Sequence, residues 1–295
     1  SPLLTRLYSP DEFGLFANFL GLLSILLVFY TGKFDLAVIL PKQDNEAINI
    51  AFLSFFLIVC STVITIIFFL LFGEKVLSVL NIPELSGWIW LIPLAGFFSS
   101  TYVVINEWYI RKDNFTGLSK NKIVNTSGIT IVSLLFGFIK LNVGLILGQI
   151  IGQFLSIFFA FKIGFKYDYK RLRFISIRKM KYFAIKYIDF AKLLIPGQFI
   201  NTIASQVPVF VITAKFGLVT AGLLAFSDRI LGVPMNFIGN SVRDVFKQRA
   251  SRDYKNDGNC LGIYKKVTFS LLAISIVPFI ILFISAPYLF SFIFG

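Results

Sequence analysis

The sequence predicts an all-α protein, a polytopic bundle of membrane helices. Three observations favour this class. Apolar residues make up 57% of the 295-residue chain, and its mean hydropathy is +0.81. Charged residues make up only 15%, whereas a soluble domain carries about a quarter. The apolar residues also form long continuous runs, rather than the alternating segments of about ten residues that are typical of a β-barrel.

Eight apolar runs predict eight membrane spans. In chain order they are Phe13–Leu40, Ile48–Phe72, Trp88–Ile110, Ile123–Ile139, Leu141–Phe161, Phe190–Ala214, Leu218–Val242 and Val267–Ile284. Lys140 alone separates the fourth and fifth runs, so these two helices are expected to form a tight hairpin. In the fifth run, Gly144, Gly148 and Gly152 recur every four residues, a spacing that predicts close helix packing.

The distribution of basic residues predicts the orientation of the chain. Lys and Arg concentrate on the cytosolic side of membrane proteins. If the first run ends in the cytosol, the predicted cytosolic segments contain 22 of the 28 basic residues and the predicted outer segments contain four. The sequence therefore predicts that Ser1 lies on the outer side. The excess of basic over acidic residues, 28 against 15, is explained by topology and does not indicate nucleic-acid binding.

The most basic segment divides the chain into two helical lobes. Residues 166–189 are predicted to form a basic cytosolic linker, attracted to anionic phospholipid headgroups at roughly 1 kcal/mol per basic residue. Residues 1–165 would form an N-terminal lobe and residues 190–295 the start of a C-terminal lobe. The similar tetrapeptides Gly14–Ala17 and Gly222–Ala225 fit the duplicated halves of transporters. Because the chain starts without Met and ends after an apolar run, we expect an internal piece of a longer protein.

Four charged residues within the predicted spans are candidates for function. They are Lys33 and Asp35 in the first span and Asp228 and Arg229 in the seventh. Ionisable groups at this depth cost roughly 2.5 kcal/mol or more to insert, so they normally face a protein interior or a water-filled cavity. Lys33 can alternatively extend its stem to the interface. Asp35 and Asp228 either bind a coupling proton or cation, or neutralise basic residues on neighbouring helices.

Other polar residues in the spans have more ordinary interpretations. Glu107 precedes Arg111 by four residues, which predicts an ion pair along one helix. Gln198 and Asn201 share a face of the sixth span, where they can line a sugar path or form interhelical hydrogen bonds. No metal or cofactor site is predicted, because the chain has no His and its two Cys residues share no motif spacing. No catalytic residue is predicted either, since no phosphate-binding loop or acidic motif is present.

Two regions of the sequence resemble a known family. One region contains Ser1–Ala17, Gly32–Lys42 and Asp44–Ala47, and the other contains Phe226–Asn240 and Val245–Ala250. On these residues the chain resembles bacterial polysaccharide biosynthesis proteins of the O-antigen flippase type, in the multidrug/oligosaccharidyl-lipid/polysaccharide exporter superfamily. The resemblance implies a transporter of about twelve helices in two lobes. This chain would then hold the second to ninth helices and would lack the first.

The resemblance also implies a substrate and a location. The substrate would be an undecaprenyl-diphosphate-linked oligosaccharide, moved across the bacterial inner membrane by alternating access, without enzymatic chemistry. Lys33 and Arg229 would contact the anionic diphosphate through charge-assisted hydrogen bonds, with Gln198 and Asn201 as further substrate contacts. Three alternatives stay open: a multidrug or cation antiporter of the same superfamily, a membrane-embedded polymerase or glycosyltransferase, and a fragment without transport function. The oligomeric state is not predicted.

Overall fold

The computed structural model describes residues 2–164, 169–257 and 261–294. Within these ranges the chain forms helices and no β-strand, which confirms the predicted all-α class. The α-helices are α1 (Pro2–Leu7), α2 (Pro10–Tyr30), α3 (Asp44–Leu80), α4 (Leu91–Arg111), α5 (Phe115–Phe138), α6 (Gly144–Phe159), α7 (Ile177–Lys186), α8 (Ile195–Asp257) and α9 (Leu261–Phe294). Short 3₁₀ segments cover Phe34–Ile39, Pro83–Leu85 and Tyr169–Phe174, and π turns cover Ala160–Gly164 and Phe190–Leu194.

Several of these helices are suited to a membrane. Four stretches of the described residues are long and apolar enough to cross one: Pro10–Tyr30, Asp44–Leu80, Gly144–Lys162 and Phe190–Asp228. They support a multi-pass membrane protein. The remaining predicted spans fall on α4, α5, the second part of α8 and α9. The count of eight spans and the two-lobe arrangement stay predictions.

The chain divides into two compact units. The smaller unit combines Ser1–Arg6 with Leu224–Gly295, and the larger comprises Leu7–Leu223. In the larger unit, α2 packs against α3, α4 and α6. Phe19 and Leu23 of α2 are buried in an apolar cluster with Ile92 of α4 and Ile146 of α6. The middle of α2 is therefore enclosed by its neighbours.

The first predicted span is wrong as a single helix over Phe13–Leu40, because α2 ends at Tyr30. Gly32 and Lys33 both adopt left-handed backbone conformations, with φ of 57° and 61°. A right-handed helix cannot continue through such residues. The chain resumes at Phe34 as a 3₁₀ segment. With 21 residues, α2 is still roughly 30 Å long, which matches the hydrocarbon core of a bilayer.

The predicted hairpin of α5 and α6 is confirmed, and its helices pack closely. A Cβ atom placed on Gly148 would collide with the Ser133 hydroxyl, and one on Gly152 would collide with Ile129. A Cβ on Gly128 would lie 3.2 Å from the Gly152 Cα atom. The glycines thus permit backbone-to-backbone approach, as their spacing predicted.

The sixth and seventh predicted spans fall on the two parts of α8, which meet at a kink. Gly217 at this kink is non-helical, with φ of 83° and ψ of 173°, and it lies between the predicted end of the sixth span at Ala214 and the start of the seventh at Leu218. The positive φ is compatible with glycine because glycine has no Cβ.

Candidate functional site

The break after α2 holds two charged side chains in the interior. Lys33 is 9% exposed and Asp35 is 5% exposed. The Thr31 hydroxyl donates a 2.5 Å hydrogen bond to Asp35 Oδ1, and the Lys33 backbone N–H donates to Thr31 Oγ1 at 3.2 Å. These bonds fix the turn, which we call the α2 break (Thr31–Asp35). A continuous helix would still allow the bond between Thr31 and Asp35, which are four residues apart, but it would direct the Lys33 N–H to the Phe29 carbonyl instead of to Thr31 Oγ1.

Arg111 holds the segment that follows the α2 break. Its Nη1 donates to the backbone carbonyls of Val38 and Pro41, at 3.0 and 2.8 Å. Its Nε lies 3.1 Å from Asp44 Oδ1, and the side chain is only 6% exposed. The predicted ion pair with Glu107 is wrong, because these three acceptors, supplied by other elements, bind the guanidinium. Arg111 therefore ties the end of α4 to the 3₁₀ segment and to α3.

Glu107 belongs to the surroundings of the α2 break. It is half-buried on α4, which packs against the 3₁₀ segment, and it lies within Coulomb range of Asp35 and Lys122. Lys33 forms no ion pair with another described residue. The site thus combines a buried lysine with two carboxylates, of which Asp35 already accepts a hydrogen bond from Thr31.

Asp44 joins three basic side chains at the start of α3. Besides Arg111, it binds Lys112 Nζ at 2.7 Å and Arg171 Nη1 at 3.1 Å. Asp44 lies before the apolar stretch that begins at Ile48. Burial alone would raise the pKa of Asp44, but the hydrogen bond from Lys112 and the three positive charges lower it below its ordinary value. The carboxylate stays ionised and connects α3, α4 and the basic linker.

A buried amide also attaches the linker to α3. Asn49 is completely buried. Its Nδ2 donates to the Phe174 carbonyl at 3.2 Å, and its Oδ1 accepts from the Ser176 backbone N–H at 2.9 Å. The linker backbone is therefore bonded to the bundle on both sides of residue 175.

Helix α7 of the linker packs beside the α2 break. Its Met180 and Phe183 are buried in an apolar cluster with Phe34, the residue after Lys33, and with Trp108, the residue after Glu107. The segment predicted as a basic linker attracted to anionic phospholipid is thus also a packed element next to the candidate site. Residues 166–168 of that prediction lie outside the described residues.

The predicted sugar contacts lie on the first turns of α8. Gln198 and Asn201 are exposed. Between them, the Phe199 ring meets the Phe29 ring of α2 edge-on, with centroids 5.2 Å apart. The structure therefore brings this part of α8 close to the last turn of α2. Contact of Gln198 or Asn201 with a substrate stays a prediction.

The second charged pair lies in the smaller unit. Asp228 is exposed, and the Arg229 side chain lies outside the described residues. A cavity shared by Lys33 and Arg229 stays a prediction.

Near the amino-terminal end of α2, its backbone is in direct contact with the backbone of α8. A Cβ on Gly14 would collide with the Leu218 carbonyl, and one on Gly222 would collide with the Pro10 carbonyl. The two tetrapeptides that suggested duplication thus begin with glycines that face each other across α2 and α8. Sequence reasoning recognised the similarity and missed the contact.

Two hydrogen-bonded side chains secure the same end of α2. Asn18 Nδ2 donates to Thr213 Oγ1 at 2.8 Å, and both residues are fully buried. The Tyr8 hydroxyl donates to the Ser133 carbonyl of α5 at 2.6 Å. Burial, and then the charge of Glu12, raises the pKa of Tyr8 to about 12, so the hydroxyl stays protonated as a donor.

Comparison with protein families decides which family the chain represents. The model of a family described as polysaccharide biosynthesis protein matches residues 3–295. The chain belongs to the polysaccharide biosynthesis protein family. No curated protein and no solved structure matches the chain. Membership and the membrane-capable helices together support a multi-pass membrane protein and a polysaccharide-related transporter. Among the described residues, no three His, Cys, Asp or Glu side chains are grouped as a metal site requires.

Proposed function

We propose that this family member is part of a flippase that moves an undecaprenyl-diphosphate-linked oligosaccharide across the bacterial inner membrane by alternating access. The proposal depends on Lys33, a buried cation at the end of a helix that can cross a membrane. Lys33 has no ion-pair partner among the described residues. A buried charge is costly unless another charge compensates it. Asp35 lies within Coulomb range of Lys33 and compensates part of this cost, and an anionic diphosphate would supply the rest.

The architecture of the α2 break supports a binding role. A sugar and diphosphate headgroup cannot cross hydrocarbon unaided, whereas an isoprenoid tail can stay in the lipid. Transport therefore needs a hydrated cationic site that opens to each side in turn. Thr31 and Asp35 hold the backbone of Lys33 in place before any ligand arrives, which lowers the entropic cost of binding.

The proposed orientation places the α2 break on the cytosolic side. The basic linker lies beside the break, and the positive-inside rule assigns it to the cytosol. With Ser1 on the outer side, a lipid-linked substrate would approach Lys33 from the cytosolic leaflet. Anionic phospholipid headgroups are the second proposed partner on this side.

A cation antiporter of the same superfamily is the second candidate. The observation in its favour is the pair of carboxylates, Asp35 and Glu107, within Coulomb range of each other. Two such groups in a membrane can share a proton or bind a cation. The two functions differ in the essential charge: Lys33 for an anionic headgroup, and Asp35 with Glu107 for a cation.

The test is rescue of surface polysaccharide. The complete gene that contains this chain is expressed in a strain that lacks its own O-antigen flippase. Lys33→Ala is expected to reduce surface polysaccharide roughly tenfold or more, the effect of one lost charge-assisted contact, and Lys33→Arg to retain it. Lys75→Ala, which removes an exposed lysine, is the matched control. Arg229→Ala is examined in parallel.

Two results would contradict the proposal. Full rescue by Lys33→Ala at equal protein level would remove Lys33 from the transport site. Loss of rescue in Asp35→Asn and Glu107→Gln with retention in Lys33→Ala would favour the antiporter instead.

A further inference from the structure

Helix α7 carries a second face that the bundle does not use. Its Met180 and Phe183 point toward the bundle and are buried. The rest of the helix surface presents exposed residues, which are Ile177, Arg178, Lys179, Lys181, Tyr182, Ile185 and Lys186. Ile177 is 85% exposed, Ile185 67% and Tyr182 59%. The main apolar side of this amphipathic helix is thus occupied by protein, and a mixed side remains.

The mixed side combines basic and apolar side chains. No acidic residue occurs from Ile177 to Lys186. Arg178 and Tyr182 are four residues apart, as are Lys181 and Ile185, so these four side chains share one face of the helix. Ile177 lies at the edge of that face. A helix face that contacts only water gains nothing from exposed isoleucines, because apolar side chains are unfavourable in water. Cations that contact phosphates and apolar side chains that enter the acyl boundary are the pattern of an interfacial helix.

The contacts of the linker attach it to the start of α3, beside the predicted start of the second membrane span at Ile48. Arg171 binds Asp44 and Asn49 bonds the backbone around residue 175, so the linker is attached to the first turns of α3. The apolar stretch of α3 starts at Ile48, one turn after Asp44. Along the chain, α7 also lies between two stretches that can cross a membrane, Gly144–Lys162 and Phe190–Asp228.

We infer that the mixed side of α7 docks on the anionic phospholipid headgroups of the adjacent leaflet. Arg178 and Lys181 contact phosphates, and Ile185 and Tyr182 enter the boundary with the acyl chains. The inference deepens the proposed function and rests on its membrane topology. The exposed mixed side of α7 contacts the lipid, while Met180 and Phe183 stay packed in the bundle.

The experiment places a fluorescent probe on the mixed side. The full chain, with Cys60→Ser and Cys260→Ser, receives Ile185→Cys labelled with an environment-sensitive dye and is reconstituted in nanodiscs. Phosphatidylglycerol is titrated into phosphatidylcholine. The emission is expected to shift to the blue, with quenching by acyl-brominated lipid, as phosphatidylglycerol increases. In Arg178→Gln/Lys181→Gln, the apparent affinity for phosphatidylglycerol is expected to fall about fivefold per neutralised charge, so the blue shift should be nearly lost even at high phosphatidylglycerol.

The matched control neutralises two cations elsewhere. Lys75→Gln/Lys140→Gln removes the same charge from exposed residues of other elements and is expected to leave the titration unchanged. An unchanged emission in every lipid mixture would overturn the inference, as would a full shift in pure phosphatidylcholine. A shift caused by farnesyl diphosphate in phosphatidylcholine, without one by phosphatidylglycerol, would assign this side of α7 to the substrate and also overturn it. The readout requires no transport, so failure of the flippase proposal would be seen separately.

Discussion

The two ends of α2 are built in opposite ways. At the amino-terminal end, Gly14 and Gly222 let the backbones of α2 and α8 touch, and this contact itself contains no charged side chain. At the carboxyl end the helix stops, and the α2 break places Lys33 and Asp35 in the interior. Arg111 then holds the following segment through backbone carbonyls.

The difference shows that two kinds of constraint act on one helix. Contact between the two glycine-containing backbones depends on side-chain volume. An added methyl group causes a steric clash, and the dispersion attraction is lost if the helices move apart to relieve it. The carboxyl end depends on charge and on backbone conformation. A change of volume should therefore damage the first end, and a change of charge the second. In a transporter, the first end suits a tight seal and the second suits ligand binding.

The largest effect is expected from Gly222→Ala. The new methyl group would collide with the Pro10 carbonyl, and overpacking of this kind costs about 1–3 kcal/mol of stability. The measurement is the apparent Tm in detergent. Gly197→Ala is the control on the same helix, since no atom lies within 4 Å of its Cβ position. Equal melting of Gly222→Ala and the unsubstituted protein would break the comparison at this end.

Lys33→Gly separates charge from backbone at the other end. Glycine tolerates the φ of 61°, so the free energy of unfolding is expected to stay equal or to rise by up to about 1 kcal/mol. Surface polysaccharide in the rescue assay is nevertheless expected to fall roughly tenfold, because the charge is lost. Asn81→Gly makes the same backbone change at φ of 55° without loss of a cation. Retained transport in Lys33→Gly would show that the α2 break matters for its shape alone.

Much of the fold was predictable because hydrophobic runs carry a strong signal. The all-α class and the α5–α6 hairpin follow from the length of apolar runs and from glycine spacing. The end of α2 at Tyr30 was not predictable in this way, because the chain is apolar again from Leu36 to Leu40, and the run therefore reads as one long span. Gly32, Lys33 and Asp35 were the local signs of a break, but a glycine inside an apolar run is common in membrane helices, and the two charges were interpreted as a functional site.

The sequence indicated which residue types belong to the candidate site, but it did not indicate which residues they contact. An intramembrane charge at Lys33 or Asp35 is visible in the sequence, since such charges are expensive. The partner of Arg111 was missed because the spacing to Glu107 assumes that a helix neighbour is the nearest acid. Asp44 lies 67 residues away in sequence, and only the packing of α3 against α4 brings it within 3.1 Å.

Asp44→Asn is expected to loosen the carboxyl end by a smaller amount, about 1–2 kcal/mol, because Arg111 loses a charged acceptor while it keeps two carbonyls. Trypsin should then cleave the linker faster. The pKa of Asp44 is lowered in the folded protein, so its contribution is present above the ordinary value of 3.8 and is lost as pH falls through the lowered value. The Tm difference from Asp44→Asn should therefore be constant near neutral pH and shrink only in strong acid. A difference that shrinks already at mildly acidic pH would contradict this.

The smallest effect is expected where the amino-terminal end of α2 uses hydrogen bonds. A double-mutant cycle of Asn18→Ala and Thr213→Val should give a coupling energy near 0.6 kcal/mol, the average for polar pairs between membrane helices. Ser24→Ala with Thr213→Val is the control cycle, since Ser24 bonds only to the Gly21 carbonyl of its own helix. A coupling well above about 1.7 kcal/mol would mean that polar bonding, and not glycine contact, holds this end together. The two ends of α2 would then differ only in their charged residues. In that case Gly222→Ala should lower the stability of the protein only slightly.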